Sequence, residues 1–165
     1  MRKFLFFLMC LSLSVTASAQ LQKVAFKSAT ATSSQSGEDA NKAIDGNYGT
    51  IWHSSYSSTS FPVTITLTLN EKTHVDILRY VPRQSGTNGN WNEVDVEYSE
   101  STIRNTWTSL GTYILNGSGS SYDFNMPEGD LSIARVRFKI KSGSGNFASA
   151  AEIEAYTIDN TKQEA

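Results

Sequence analysis

Val63-Thr64-Ile65-Thr66-Leu67-Thr68-Leu69 alternates apolar and threonine side chains over seven residues. A period of two is a strand with one face inward and one face wet. The same alternation recurs downstream. Val94, Val96 and Tyr98 are interleaved with Glu93, Asp95 and Glu97. Ala134, Val136, Phe138 and Ile140 are interleaved with Arg135, Arg137, Lys139 and Lys141. Val75, Ile77, Leu78, Tyr80 and Val81 form a more apolar run, expected at the centre of a sheet. Trp107–Leu115 and Glu152–Ile158 read as further strands. Turn-rich segments separate them: 45–47, 85–90, 116–120, 127–130 and 142–146. Only Glu38–Ile44 suggests a helical turn. The pattern predicts an all-β fold, an antiparallel β-sandwich or jelly roll of about eight strands.

The beginning of the chain reads differently. Arg2 and Lys3 precede an apolar run from Phe4 to Leu13, and Ala17-Ser18-Ala19 supplies small residues for cleavage before Gln20. Residues 1–19 are therefore expected to be a signal peptide, residues 20–160 the folded domain and 161–165 a polar tail. The apolar run is shorter than the ~20 residues of a membrane-spanning helix. The expected location is secreted, periplasmic or at the cell surface. The single cysteine, Cys10, lies inside the signal, so the mature domain has neither disulfide nor thiol. Loss of Arg2 and Lys3 from 14 basic residues leaves 12 against 16 acidic ones, a balance of −4. That acidic balance argues against a nucleic-acid partner.

Lys42–Thr50 reads KAIDGNYGT and leads directly into Ile51-Trp52-His53. Asp45 offers a carboxylate, Thr50 a hydroxyl, and Gly46 and Gly49 permit a tight backbone. Such a loop can wrap a hard cation, given a second acid to supply charge, and Glu152 is the candidate. Taken alone, the loop is read more simply as an Asp-Gly turn.

Three blocks then combine. IDGNYGTIWHSSY (44–56), RYVPRQSGTNGNW (79–91) and FASAAEIEAY (147–156) together resemble the discoidin, or coagulation factor V/VIII type C, domain. The bacterial sugar-binding branch of that family is the family 32 carbohydrate-binding module. The resemblance spans about residues 25–158 and implies a galactose-binding-like jelly roll. It also implies structural Ca2+, held by the carbonyls of Lys42, Asn47 and Ala151, the side chains of Asp45 and Glu152, and Thr50.

A sugar presents hydroxyls on its rim and C–H groups on one face. Its site therefore wants an aromatic platform and a few fixed polar groups. The resemblance assigns His53, Arg83 and Asn88 to ring hydroxyls and Phe147 to stacking on the sugar face. Tyr56 lines the pocket, where many members carry tryptophan. Singly, each has a plainer reading: His53 bonding a carbonyl, Arg83 in a surface ion pair, Asn88 as a turn residue, Phe147 as a loop anchor. As an ordered set they point to a carbohydrate-binding, lectin-like module for terminal galactose or N-acetylgalactosamine-like sugars. It is expected to work as a monomer without catalysis.

Enzyme readings lack parts. Two histidines and no mature thiol are too few for a triad or catalytic zinc site, and the best-placed acids, Asp45 and Glu152, belong to the metal reading. His74 reads as opening a strand in a structural role. Trp52, Phe138, Tyr98 and Tyr156 read as strand residues needing no ligand, and Asn116-Gly117-Ser118 is a glycosylation sequon. The alternative function is adhesion to protein or anionic phospholipid through the same loops, with Phe61 and Trp91 as apolar spikes. Sparse basic charge nearby makes membrane lipid the less expected partner.

Overall fold

The structure, a computed structural model, describes residues 20–57 and 59–159; the segments read as signal peptide and tail lie outside the described residues. Eleven strands are present among the described residues: β1 (Gln20–Val24), β2 (Phe26–Ala31), β3 (Trp52–His53), β4 (Val63–His74), β5 (Ile77–Val81), β6 (Trp91–Ser99), β7 (Thr108–Ile114), β8 (Tyr122–Asn125), β9 (Ser132–Gly143), β10 (Ser149–Ala150) and β11 (Glu152–Asp159). They form a five-stranded sheet, β2-β4-β9-β6-β7, and a four-stranded sheet, β1-β11-β5-β8. A two-stranded ribbon, β10-β3, completes the set, and all pairings are antiparallel. This is the expected jelly-roll sandwich.

The period of two in the sequence sets the register. In the β4–β9 pair, Val63, Ile65 and Leu67 lie opposite Ile140, Phe138 and Val136, and all six are fully buried. The intervening Thr64, Thr66 and Thr68 face Lys139, Arg137 and Arg135 on the wet side. A slip of one residue would turn every apolar side chain to water. Tyr80 of β5 stacks on Trp91 of β6, with centroids 3.9 Å apart and planes 12° off parallel. Phe138 of β9 then touches both Trp91 and Phe124 of β8, at 5.3 and 5.5 Å. This chain of rings joins the two inner faces.

Several expectations change. Trp91 is fully buried and Phe61 packs against the core, so neither is an apolar spike. His74 closes β4 rather than opening a strand; its Nδ1 meets the Leu131 carbonyl and its Nε2 the Asp76 carboxylate. β9 continues through Ser142 and Gly143, where a turn was expected, and one 3-10 turn (Ser144–Asn146) follows. The helical turn expected near Glu38–Ile44 is a 3-10 turn over Ala40–Ile44, capped by Asp39, whose carboxylate accepts the Asn41 N–H. β1, β2 and β8 have no strand counterpart in the sequence reading. They are short and mostly exposed, so the core imposes little apolar alternation on them.

Candidate functional site

Backbone hydrogen bonds sew three distant loops together at one end of the sandwich. β3 pairs Trp52 with Ala150 and His53 with Ser149. Ser54 N–H donates to the Ala148 carbonyl at 2.8 Å, and Ala148 N–H donates to Ser54 Oγ at 3.0 Å. Ser149 N–H donates to the Gly89 carbonyl and Gly89 N–H to the Ser144 carbonyl, both at 2.8 Å. Gly89 has φ +86°, and a Cβ there would lie 2.5 Å from Ser149 Oγ, so only glycine allows this approach.

The loops bring the five candidate sugar residues together. His53, Tyr56 and Phe147 form a triangle of rings: His53 to Tyr56 4.7 Å, His53 to Phe147 5.1 Å, Tyr56 to Phe147 6.2 Å. Asn88 lies beside Phe147 across Gly145, whose Cβ position is 2.7 Å from Asn88 Oδ1 and 3.5 Å from the phenyl ring. The Arg83 guanidinium donates to the Ser85 and Asn88 carbonyls at 2.6 and 3.2 Å, so it braces its own loop instead of pairing with an acid. Only part of its donor fork is used, and the remaining N–H groups stay available.

The imidazole, however, is 1 % exposed. Its Nδ1 lies 2.7 Å from the Ser54 carbonyl. A carbonyl only accepts, so Nδ1 carries the proton, which leaves Nε2 of the neutral ring as acceptor. Tyr56 is 54 % exposed and crosses the His53 ring edge-on. It is held by two residues that no sequence motif singles out. Its hydroxyl donates to Glu38 at 2.7 Å and its N–H to Gln35 Oε1 at 3.0 Å. The Glu38 hydrogen bond and burial push the Tyr56 hydroxyl above its ordinary pKa, and nearby Arg83 draws it partly back. An open groove of about 600 Å³ borders this cluster through Glu38 and Arg83.

The second constellation is the 45–50 loop. Thr50 Oγ1 lies 3.0 and 2.8 Å from the two Asp45 carboxylate oxygens and 2.9 Å from the Asn47 carbonyl. Gly46 N–H donates to Glu152 Oε1 at 2.8 Å. Glu152 is 1 % exposed, and burial, with Asp45 beside it, pushes its carboxyl up to about 7. Burial also pushes Asp45 up. The Thr50 hydroxyl, the Asn47 N–H and the Lys42 ammonium outweigh that and hold it below the usual range. Lys42 sits in the Ala40–Ile44 turn, its ammonium 3.7 Å from Asp45, and Ala151 is buried next to Glu152. Two carboxylates within hydrogen-bond reach of each other, a hydroxyl and the Asn47 carbonyl make an all-oxygen donor set, which fits a hard cation. Among the described residues no group of three or more His, Cys, Asp or Glu converges.

The family model for the F5/8 type C domain matches residues 28–153. An A type blood N-acetyl-alpha-D-galactosamine deacetylase from Flavonifractor plautii is 34 % identical over 137 residues, 78 % of this chain but only 17 % of that protein's length. The family 32 carbohydrate-binding module of NanJ from Clostridium perfringens, solved with galactose, superposes with a TM-score of 0.75 at 23 % identity. The match covers 84 % of this chain and 100 % of that one. CpGH89CBM32-5 from Clostridium perfringens, solved with GalNAc-beta-1,3-galactose, gives a TM-score of 0.72 at 30 % identity over 79 % of this chain and 94 % of that one.

Proposed function

The chain belongs to the F5/8 type C, or discoidin, domain family, and on that footing we propose that it is a non-catalytic carbohydrate-binding module for terminal galactose or N-acetylgalactosamine. The observation that carries this reading is the gathering of His53, Phe147, Asn88 and Arg83 on loops stitched to one another. Phe147 takes the C–H face of the sugar. Arg83 and Asn88 donate to its hydroxyls, and His53 Nε2 accepts from one of them. Tyr56 closes the far side once its ring moves off the imidazole.

Calcium belongs to the same proposal. Asp45, Glu152, Thr50 and the carbonyls of Lys42, Asn47 and Ala151 would hold it. The ion would neutralise the Asp45 and Glu152 carboxylates and tie the 45–50 loop to β11, with no part in any reaction. Residues 1–19 serve as an export signal in this reading, and the module works as a secreted, periplasmic or surface-held monomer.

Charge-assisted hydrogen bonds contribute ~1.5–3 kcal/mol each and ring contacts ~0.5–1.5, less the cost of ordering the ligand. The expected Kd for one sugar is between ~10 μM and ~3 mM, with avidity for multivalent glycans. A glycan array probed with calcium-loaded protein tests the reading. Signal is expected on galactose- and N-acetylgalactosamine-terminated glycans, and silence on all of them would overturn it in favour of protein adhesion.

A further inference from the structure

The open groove beside the aromatic cluster has its own chemistry. Its floor includes Tyr48, which is 47 % exposed. That ring is not a loose surface side chain. Its hydroxyl donates to Glu154 Oε1 at 2.8 Å, and Glu154 is itself buried and held by Lys23 at 2.8 Å and by the Tyr156 hydroxyl at 2.7 Å. An exposed aromatic face anchored through a buried carboxylate is a pre-organised platform, and it loses little entropy when a ligand settles on it.

The groove's rim offers hydroxyl-matching groups. Gln84 Nε2 donates to the Pro82 carbonyl at 2.9 Å, which fixes the amide, while its Oε1 has no hydrogen-bond partner among the described residues. Glu38 uses one carboxylate oxygen for Tyr56 and has the other to spare. Arg83 lines the groove and bonds the Asn88 carbonyl, and Glu38 lines it and holds Tyr56, so the groove and the sugar residues are neighbours. The volume, about 600 Å³, is of the size that small-ligand sites occupy, roughly 300–1,000 Å³. A lone terminal sugar on Phe147 leaves this space unfilled.

The geometry points to the Tyr48–Gln84 groove as a second subsite, taking the next sugar unit of a glycan whose terminal residue sits against Phe147. This rests on the carbohydrate-binding reading. Tyr48 stacks on the inner sugar ring, and Gln84 and Glu38 accept from its hydroxyls. The module therefore discriminates between glycans by the unit behind the terminal sugar.

Calorimetry with methyl β-galactoside and with galactose-terminated tri- and tetrasaccharides tests this, with Tyr48→Ala, Tyr48→Phe and Gln84→Ala beside the unaltered chain. The best oligosaccharide should bind ~5-fold or more tighter than the monosaccharide, the size of a stacked ring plus a hydrogen bond. Tyr48→Ala should erase most of that gain and leave the monosaccharide Kd within about twofold; Tyr48→Phe should keep it, because stacking needs the ring rather than the hydroxyl. Gln84→Ala, at an exposed position, should lower the gain with an unchanged melting curve. Monosaccharide binding with no oligosaccharide gain, or a gain that survives both Tyr48→Ala and Gln84→Ala, overturns the subsite. Absence of monosaccharide binding overturns the underlying function instead, and the subsite with it.

Discussion

The Tyr56 hydroxyl donates to the Glu38 carboxylate at 2.7 Å, and that bond keeps the phenol ring standing over the His53 imidazole at 4.7 Å. The histidine that should accept from a sugar is thus covered by the residue that should wall the pocket. Opening the bond is a cost that binding must meet, because affinity is reduced by the fraction of molecules in the competent state. Tyr56→Phe keeps the ring and removes the tie. Titration calorimetry should show galactose binding about 2- to 5-fold tighter in that variant. A loss of similar size would mean that the hydroxyl itself touches the sugar, and the covering role would be abandoned.

Arg83 braces the 83–88 loop from within, and in the proposed site its remaining N–H groups meet the sugar. Arg83→Ala should weaken sugar binding by about 10-fold or more, the equivalent of one charge-assisted hydrogen bond. Arg83→Lys should recover only part, since an ammonium cannot reproduce the planar fork. Both variants should melt within a few degrees of the parent, a check that separates binding from folding.

Calcium removal gives a stability readout independent of sugar. Chelation should lower Tm, and re-addition at about 100 times the Kd should restore roughly 2.7 kcal/mol, or roughly 8 °C. Asp45→Asn should make the melting curve indifferent to calcium. A chelator that changes nothing in the parent chain would end the metal assignment.

His74 supplies a pH dependence remote from both sites. The Asp76 carboxylate, helped by the Leu131 carbonyl, raises its pKa above the ordinary 6.5. A raised folded-state pKa means that the ion pair's stabilisation is complete below pH 6.5 and fades as pH climbs through the folded-state value. Its exposed setting keeps the effect small. An NMR titration should place the His74 midpoint above 6.5 in the parent and lower in Asp76→Asn.

Trp91 carries the packing between the sheets. Trp91→Ala should cost about 3–5 kcal/mol in chemical denaturation, the usual penalty for emptying a core aromatic position. A cost below about 1 kcal/mol would contradict the stacking on Tyr80 as a structural joint.

The sequence made the sandwich legible where burial imposes a period of two, as in Val63–Leu69 and Ala134–Ile140. It hid β2 and β8, because edge strands with few inward side chains leave no alternation to find. Trp91 was misplaced for a related reason. Its neighbours Gly89 and Asn90 signal a loop, and its partners Tyr80 and Phe138, distant in sequence, turn the ring inward. In the candidate site, the five residues carried the family order, and the structure assembles them. Glu38 and Gln35 were invisible because their role is to hold Tyr56 across the chain, and no local pattern encodes a contact 18 or 21 residues away.

β1 lies against β11 with Gln20 opposite Asp159, while Glu152, at the other end of β11, accepts the Gly46 N–H of the 45–50 loop. The seven residue steps from Glu152 to Asp159, at ~3.3 Å each, set that junction roughly 23 Å from the loop end. A polypeptide spliced in at Gln20 and out at Asp159 would enter and leave side by side, like the two prongs of a plug. Such a unit can be mounted on a scaffold, or inserted within a host chain, with its ligand-facing pole turned outward.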